Sequence, residues 1–522
     1  MNQFIAKYQD QLNGTLSGFD RLVFMGTLWR NRITGLKGYL WAHGLGAKDF
    51  GQHAEELSKR VKVAAVAPFE AAGRPVRFLN SGKLDKQSIA REIADKDGVR
   101  QGPICALTAV ELCSSYAIKG SPRGPELQIS PRKCSFVYQY WMHPVFGFMS
   151  VRLQTWFPFP IHIYLNGREW LAQQMDQAGL GYRRQGNCFP WIAEVARAQE
   201  LMNQQPRVNW LQLFDQAAKQ IHPLLFSEMS RKYPMEYYWT CADSEWAMDL
   251  MFAQPENLRR LAPLLMRLGI LGFSSPDVLR FMGKQVSRQG GPFGQPLPLN
   301  SDWRVRTNGT RVKHRLGPNS IKIYDKAYEA QGAVLRAEVT ISAPQYFRIF
   351  RRTSDPNSEL AVRPMRQSVE DLHARGVVSQ RILDRYYTAL AAVDDSTTLE
   401  ELTASLERRV FWKGKSIRAL HPFEPHDHAL LQTVNRGEFT IGGFRNRDLQ
   451  PLLYAASPKD QPERRRRSAA ITRQLRMLRA HGLIRKRSRS HHYDVTKLGR
   501  QILNAILLAH QITVEKLLPL AA

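Results

Sequence analysis

The spacing of apolar and polar residues predicts a mixed α/β body for most of the chain. Residues 16–28 (LSGFDRLVFMGTL) are typical of a strand or a tight hairpin, and residues 102–113 of a buried strand. Between them, residues 84–98 have helical spacing and end at Gly98, a residue type at which helices commonly stop. Residues 146–164 alternate with a period of two, which predicts antiparallel strands before a helix that opens at Asn166.

A Gly- and Pro-rich stretch predicts a linker at residues 287–300. After it, residues 311–326 are typical of a β-hairpin that turns at 317–319, residues 333–341 of a third strand, and residues 366–392 and 397–408 of helices. The predicted fold class is α+β multidomain, a mixed α/β body with an antiparallel sheet and a C-terminal winged helix-turn-helix. The predicted domains are 1–130 (α/β), 131–286 (aromatic-rich α+β), 301–365 (hairpin and sheet), 366–425 (helical) and 426–522 (winged helix).

Residues 463–500 carry the clearest functional pattern, with thirteen Lys/Arg residues against two acids. Ile471, Leu475 and Leu478 recur at helical spacing, and Gly482 is suited to end that helix. Residues 485–495 then alternate as a short basic hairpin would. An amphipathic helix, a basic hairpin and a further helix follow one another in winged helix-turn-helix domains, in which the helix enters a major groove and the wing reaches phosphates. The alternative is a solvated basic helix and hairpin without a ligand.

The residues predicted to bind nucleic acid lie mainly in this segment. On the helix, the arginines point away from the apolar stripe, and on the hairpin the cations flank the turn. Two further cations come from the strands after the linker. The complete set is Arg473, Arg476, Arg479, Arg485, Lys486, Arg487, Arg489, His491, Arg315 and Lys322.

Composition extends the basic character to the whole chain, whose formal net charge is +28 over 522 residues. Such a charge attracts polyanions, with an affinity that falls as salt rises. A membrane partner is not expected, because the sequence has no run of eighteen apolar residues and its first residues lack a signal-peptide core. The five cysteines are widely spaced without a CxxC pair, so a zinc ribbon or disulfide framework is not predicted. We expect a cytoplasmic protein that binds DNA or structured RNA and that can form a homodimer.

Candidate chemistry appears first in the strands after the linker. On residues 334–341, Arg336, Glu338 and Thr340 share one face. Glu338 and Asp325 are candidate ligands for Mg²⁺ or Mn²⁺, with His314 on a neighbouring strand, and Tyr324 is a candidate nucleophile. In a regular strand, however, Tyr324 and Asp325 point to opposite faces. The alternative is that Arg336 and Glu338 form ion pairs on a solvated sheet face.

A second acidic set lies in the N-terminal region. Asp20 is on the first predicted strand, and Glu111 ends the apolar run of a later one. This is the layout of RNase-H-like nucleases and transposases, in which two carboxylates anchor two metal ions beside a phosphate. Asp20 and Glu111 are therefore candidate catalytic and metal-binding residues. Alternatively, Asp20 pairs with Arg21 or Arg30 and Glu111 caps a strand end.

Three resemblances add to these patterns. Residues 320–326 (SIKIYDK) with residues 335–341 (LRAEVTI) are similar to strands of rolling-circle replication initiators, which nick DNA through a tyrosine with a metal held by acids. The C-terminal region resembles MarR-type and ArsR-type winged helices. Nearly the whole chain, including SGFDRLVFMGTL, LNGREWLAQQM and LRMLRAHGLIRK, resembles a widespread bacterial family often present in several copies per genome. Multiple copies imply a mobile element.

Together these patterns lead to one main functional hypothesis and two alternatives. The main hypothesis is a nucleic-acid-binding protein of a mobile element that carries out metal-dependent DNA strand cleavage or transfer, as transposases and nickases do. The first alternative is a non-enzymatic winged-helix DNA-binding regulator. The second is an RNA-binding component of a ribonucleoprotein, which the aromatic segment and the basic charge also suit.

Overall fold

The computed structural model describes residues 2–28, 32–122, 124–273, 275–284, 299–306, 309–327, 333–353, 355, 357–391, 398–436, 439, 443–488 and 490–510. Its helices are α1 (Asn2–Lys7), α2 (Arg32–Ala42), α3 (Phe50–Ala71), α4 (Lys86–Lys96), α5 (Gly167–Gln177), α6 (Val195–Gln204), α7 (Trp210–Ile221), α8 (Pro255–Arg267), α9 (Ser275–Phe281), α10 (Leu372–Leu390), α11 (Leu399–Thr403), α12 (Pro425–Val434), α13 (Asn446–Leu453), α14 (Gln461–Ala480) and α15 (Lys497–Ala509). Most of the predicted linker, and Arg30 and Arg489, lie outside the described residues.

The strands are β1 (Leu12–Leu28), β2 (Val76–Phe78), β3 (Gly102–Ser121), β4 (Gly124–His143), β5 (Gly147–Gln154), β6 (Ile161–Asn166), β7 (Tyr182–Gln185), β8 (Cys188–Ile192), β9 (Tyr237–Phe252), β10 (Leu299–Arg306), β11 (Gly309–Leu316), β12 (Asn319–Ala327), β13 (Ala333–Ile341), β14 (Arg348–Arg351), β15 (Ala361–Pro364), β16 (Val410–Trp412), β17 (Lys415–Ile417), β18 (Ile484–Lys486) and β19 (Tyr493–Val495). The chain divides into two compact units. The sheet unit is Asp10–Leu258 with Pro318–Leu383, and the C-terminal unit is Met1–Gln9, Arg259–Gly317 and Asp384–Ala522.

A large mixed sheet forms the sheet unit, with the strand order β12-β13-β9-β1-β6-β5-β4-β3-β2. The β2–β3 pair is parallel, whereas β3–β4, β4–β5, β5–β6, β6–β1, β1–β9, β9–β13 and β13–β12 are antiparallel. The prediction of a mixed α/β body is confirmed. The sheet was expected to be antiparallel, and the structure adds one parallel pair, β2–β3. Residues 16–28 form one long strand rather than a hairpin.

Local sequence signals account for the helix that carries part of the site. The side chain of Asn166 accepts hydrogen bonds from the backbone N–H groups of Arg168 and Glu169, which confirms the predicted start of α5. The next residue must be small, because a Cβ added at Gly167 would lie 1.8 Å from the carbonyl oxygen of Phe19. Gly167 therefore lets α5 lie directly against β1 and brings Arg168 to the sheet.

The sheet unit has an extensive apolar core, much of it aromatic. Phe24 of β1 lies 4.5 Å from Phe214 and 5.3 Å from Trp210 between ring centroids, so α7 packs on this strand. Phe146 stacks on Trp210 with an interplanar angle of 6°. Several rings of the aromatic segment 136–164 are thus core residues, whereas Tyr138, Tyr140, Phe148 and Tyr164 also line a pocket.

In the C-terminal unit, a second core holds the last helices together. Ile471, Leu475 and Leu478 are all at most 1 % exposed, which confirms the predicted apolar stripe of α14. Strands β18 and β19 pair antiparallel after Gly482, whose φ of +72° is left-handed. Upstream, Phe444 makes an isolated bridge to Tyr493 beside this hairpin. The core also includes Leu406 and Leu420, which precede the predicted domain start at residue 426.

Among the described residues, no helix is both long and apolar enough to cross a membrane.

Candidate functional site

A group of buried charged side chains lies on the strands β1, β9, β12 and β13 and on α5. We call it the charge cluster. Each member is at most 9 % exposed, although three carry a positive and four a negative formal charge. Ions buried this deeply require close partners of opposite sign. The cluster consists of Asp20, Arg168, Glu245, Asp249, Lys322, Arg336 and Glu338.

Arg336 contacts several groups in and around the charge cluster. Its Nε and Nη2 donate to the two carboxylate oxygens of Asp249, the latter at 2.7 Å. Nη2 also donates to the carbonyl oxygen of Asn187 at 2.6 Å, and Nη1 to Asp20 at 3.3 Å. Burial lowers the pKa of Arg336, but the charges around it, that of Asp249 first, together outweigh burial, so the pKa is raised and the guanidinium stays charged.

The second cation at Asp249 is Arg168, whose Nη2 lies 3.1 Å from a carboxylate oxygen of Asp249. The same nitrogen donates to the carbonyl oxygen of Ala247 at 3.3 Å. Burial raises the pKa of Asp249, but the charges of Arg336 and then Arg168 outweigh this effect and lower it. Asp249 therefore remains ionised between two fixed guanidinium groups.

Glu245 and Glu338 form a carboxyl pair joined by Lys322. The Lys322 ammonium contacts Glu245 and lies 3.4 Å from Glu338. Burial raises the pKa of Glu245, yet the charges of Lys322 and Arg21 lower it to about 2. Burial, and then the charge of Glu245, raise the pKa of Glu338 to about 7. Near neutral pH, therefore, one carboxyl of the pair is ionised and the other titrates.

The register of β12 and β13 tests the metal site predicted on these strands. Arg336, Glu338 and Thr340 do share a face, on which Arg336 lies 3.7 Å from Glu338. This face is buried rather than solvated. Asp325 pairs with Leu335 and so points to the opposite face. The register thus corrects the predicted grouping, because Asp325 and Glu338 cannot bind one metal ion from opposite faces of the sheet.

The other residues predicted near this metal site have different surroundings. Tyr324 pairs with Arg336 in the register, and the Lys326 ammonium lies 5.5 Å from its ring centroid. His314 belongs to the C-terminal unit, where its Nδ1 lies 2.7 Å from the Ser301 hydroxyl. Burial lowers the pKa of His314 to about 4, so the ring is neutral near pH 7.

A pocket of about 680 Å³ opens beside the charge cluster in the sheet unit. Both members of the second predicted set, Asp20 and Glu111, line it, together with Glu245. Asp20 accepts a hydrogen bond from the Asn187 side-chain amide at 2.8 Å in addition to that from Arg336. Asp20 forms an ion pair with Arg336, whereas Arg21 pairs with Asp243 and Glu245. Arg30, the other predicted partner of Asp20, lies outside the described residues.

Glu111 stands at the other end of the pocket. It lies 3.1 Å from the Lys86 ammonium and 3.3 Å from the Arg152 guanidinium. Burial raises the pKa of Glu111, but hydrogen bonds with Tyr138 and Lys86 lower it below its ordinary value. Three strands separate β1 from β3, so four spacings of about 4.8 Å each lie between these backbones along the sheet. Two metal ions of one catalytic site are only about 4 Å apart. The predicted two-metal pairing of Asp20 with Glu111 therefore does not fit.

The residues of the charge cluster and the pocket do not fit a resident Mg²⁺ or Mn²⁺. Within the described part of the chain, no group of three or more His, Cys, Asp or Glu residues is arranged to hold a metal ion. Arg336, Arg168, Lys322 and Arg21 take the positions beside the acids that a cation would need.

Compared with protein-family models, curated proteins and solved structures, the chain matches none. The residues of the two units are therefore the basis for a functional assignment.

The C-terminal unit presents a basic surface on α14 and the β18–β19 hairpin. Arg473 and Arg476 are exposed and line an open groove of about 580 Å³ with Ser468 and Thr472. A second open groove of about 470 Å³ lies at the hairpin. Its lining contains four more of the predicted residues, Arg479, Lys486, Arg487 and His491, together with Ser488 and Ser490.

Some of the predicted nucleic-acid contacts already have protein partners. Arg487 donates to Asp494 at 2.6 Å, and Arg485 lies 3.8 Å from the same carboxylate. Arg315 lies 3.4 Å from Asp302. Lys322 belongs to the charge cluster and is 9 % exposed, so it cannot reach a phosphate on the surface. This corrects the predicted role of Lys322.

Sequence reasoning did not identify Arg168 or Asp249. A signal for β9 was present, because Asp243, Glu245 and Asp249 fall at even intervals in a largely apolar strand and so share one face. Arg168 carried no comparable signal, since an arginine in the first turn of a helix usually faces solvent.

Proposed function

We propose that this protein binds nucleic acid through α14 and the β18–β19 hairpin, with DNA as the preferred ligand. The observation that carries the proposal is the adjacency of two open, cation-lined grooves, one on the exposed face of α14 and one at the hairpin. Exposed guanidinium groups on one helix face suit the major groove, and the hairpin cations suit the flanking phosphates.

The chain order of this region supports a winged-helix interpretation. Helices α12, α13 and α14 are followed by β18, β19 and α15, and Phe444 adds a bridge beside the hairpin. In such domains the third helix reads base edges and the hairpin forms the wing. Structured RNA is the alternative ligand, since the same cations would bind its phosphates.

Fluorescence anisotropy with labelled duplexes tests this proposal. We expect Arg476→Ala to weaken binding to a selected DNA site by about 1–3 kcal/mol and to relax the preference at one base pair. The matched control is Arg260→Ala, which removes an exposed arginine of α8 in the same unit and should have little effect. Equal binding by wild type and Arg476→Ala at several salt concentrations would refute the assignment of α14.

Strand cleavage or transfer in the sheet unit is a second candidate function. The observation that favours it is the pocket wall, where Asp20 and Glu245 lie beside Glu338, whose pKa is raised to about 7. Titratable groups of this kind beside a cavity are common at catalytic sites. Because the residues do not fit a resident divalent cation, we derive no step through a metal.

Cleavage assays on duplex, hairpin and single-stranded DNA and RNA test this candidate. Loss of activity in Asp20→Asn or Glu338→Gln, with DNA binding unchanged, would support it. The control is Glu400→Gln, which changes an exposed glutamate of α11. If the wild-type protein cuts none of these substrates, with or without added Mg²⁺ or Mn²⁺, nucleic-acid binding is the remaining function, as expected for a regulator or a ribonucleoprotein component.

A further inference from the structure

We propose that the pocket of the sheet unit binds one nucleotide unit, with the base at the Asp20 end and the phosphate at the rim. This inference goes beyond nucleic-acid binding by α14 and does not depend on it. A free nucleotide and one nucleotide of a single strand share this chemistry.

The base is assigned by a buried acceptor at the pocket floor. Asp20 is 4 % exposed, and its Oδ2 accepts the hydrogen bonds from Asn187 and Arg336. Its Oδ1 is buried and has no hydrogen-bond partner among the described residues. Leaving such an acceptor unpaired costs about 1–3 kcal/mol, so a ligand that brings an N–H group here is favoured. Nucleobases carry amino or imino N–H groups at their edges.

Tyrosines on the sheet provide the wall of the pocket. Tyr140 of β4, Ser150 of β5 and Tyr164 of β6 are directly paired across neighbouring strands. All three line the pocket, and Tyr164 is half-buried, so part of its side chain faces the cavity. Aromatic side chains on a sheet are common stacking surfaces for unpaired bases. The volume of about 680 Å³ is also within the usual range for small-ligand pockets.

The phosphate is assigned to Arg21 and Arg91 at the rim. Their side chains are 49 % and 39 % exposed, although they line the same pocket as the buried Asp20. Arg21 is paired with Asp243, and Arg91 with Glu169, which fixes both guanidinium groups in place. Because a guanidinium has five N–H donors, each keeps donors for a phosphate.

Calorimetric titration of the full-length protein tests the pocket. The probes are AMP, CMP, adenosine and ribose 5-phosphate. We expect both nucleotides to bind and ribose 5-phosphate to bind at least tenfold more weakly. Arg91→Ala should weaken AMP at least tenfold without changing adenosine, whereas Lys96→Ala, an exposed cation on the same helix, should change neither. Tyr164→Ala should weaken both AMP and adenosine.

A competition experiment distinguishes a free nucleotide from a nucleotide of a single strand. In Arg473→Ala/Arg476→Ala, whose substitutions leave the pocket intact, a short single-stranded oligonucleotide that competes with AMP would identify a strand as a source. AMP binding without such competition would identify the free nucleotide. If wild type binds neither AMP, CMP nor the oligonucleotide at the pocket, or if Arg91→Ala binds AMP as wild type does, the proposal is overturned.

A separate observation on the same sheet points to a redox-sensitive cysteine pair. We infer that Cys113 of β3 and Cys134 of β4 form a disulfide when a peroxide is supplied, since their sulfur atoms are 2.9 Å apart. The contact with Cys134 lowers the pKa of Cys113, which favours its thiolate. The thiolate attacks the peroxide to give a sulfenic acid and water or an alcohol. The Cys134 thiol then displaces water and completes the S–S bond.

Intact-mass measurement of the native full-length protein after mild peroxide treatment tests this inference. We expect the loss of two hydrogen atoms, reversed by dithiothreitol, with peptide mapping to Cys113 and Cys134. Cys241→Ser, which changes another buried cysteine, should behave like wild type, whereas Cys134→Ser should not form the bond. A wild-type protein that keeps both thiols after treatment, or that links other cysteines instead, would overturn it.

Discussion

Replacing Arg336 with methionine is the most direct test of the charge cluster. The substitution keeps an unbranched side chain of similar length but removes the guanidinium that joins Asp249, Asp20 and the carbonyl of Asn187. Arg336 and Asp249 are both fully buried, so water cannot replace the lost contacts.

The size of the effect follows from the charges left behind. Asp249 would keep Arg168, and Asp20 would keep the amide of Asn187. Removing one partner of a buried ion pair typically costs about 3–5 kcal/mol, because the remaining charge is uncompensated. We therefore expect Arg336→Met to lower the free energy of unfolding by about that amount. Arg304→Met is the control, since Arg304 is 59 % exposed and 3.9 Å from Asp302, and such surface pairs contribute about 0–1 kcal/mol.

Urea unfolding followed by tryptophan fluorescence and by circular dichroism measures the difference. Asp20 is the carboxylate that loses its ion-pair partner, so the double variant Arg336→Met/Asp20→Asn should be more stable than Arg336→Met alone. A cost below about 1 kcal/mol for Arg336→Met, or a double variant less stable than the single one, would refute this account of the cluster.

Three further predictions concern stability. Glu338 has a folded-state pKa of about 7 against an ordinary pKa of 4.5. Its contribution to the stability of the folded state is therefore greatest below pH 4.5 and is lost as the pH rises through 7. In urea unfolding, the stability of Glu338→Gln relative to wild type should therefore increase between pH 5 and pH 8.5, by at most roughly 3 kcal/mol. A difference in stability that does not vary with pH would contradict the raised pKa of Glu338. Leu475→Ala should cost about 2–5 kcal/mol in the C-terminal unit, measured by thermal unfolding, whereas Thr472→Ala on the exposed face should cost far less. Gly167→Ala should cost about 1–3 kcal/mol or more, because its Cβ would overlap the Phe19 carbonyl, and unchanged stability would show that α5 can shift away from β1.

Local sequence signals determined much of the secondary structure and the basic surface. Asn166 stops β6 and starts α5 through its own side-chain hydrogen bonds, and the spacing of Ile471, Leu475 and Leu478 fixes which face of α14 is buried. Such features depend on neighbours within one or two turns, so they can be read from the chain. For the same reason the arginines of α14 were assigned to its exposed face, although whether they bind nucleic acid stays a prediction.

Strand order determines which residues form the charge cluster and the pocket, and local sequence patterns do not encode strand order. Asp20 meets Arg336 only because β13, β9 and β1 are neighbours, although 316 positions separate the two residues in the chain. The same strand order places Glu111 four strands from Asp20, and the register of β12 and β13 sends Asp325 to the face opposite Glu338. Sequence alone determined which residues are charged and how each strand alternates. Only the tertiary structure decided which charges are buried together, because pairing between distant strands sets their distances and excludes water from them.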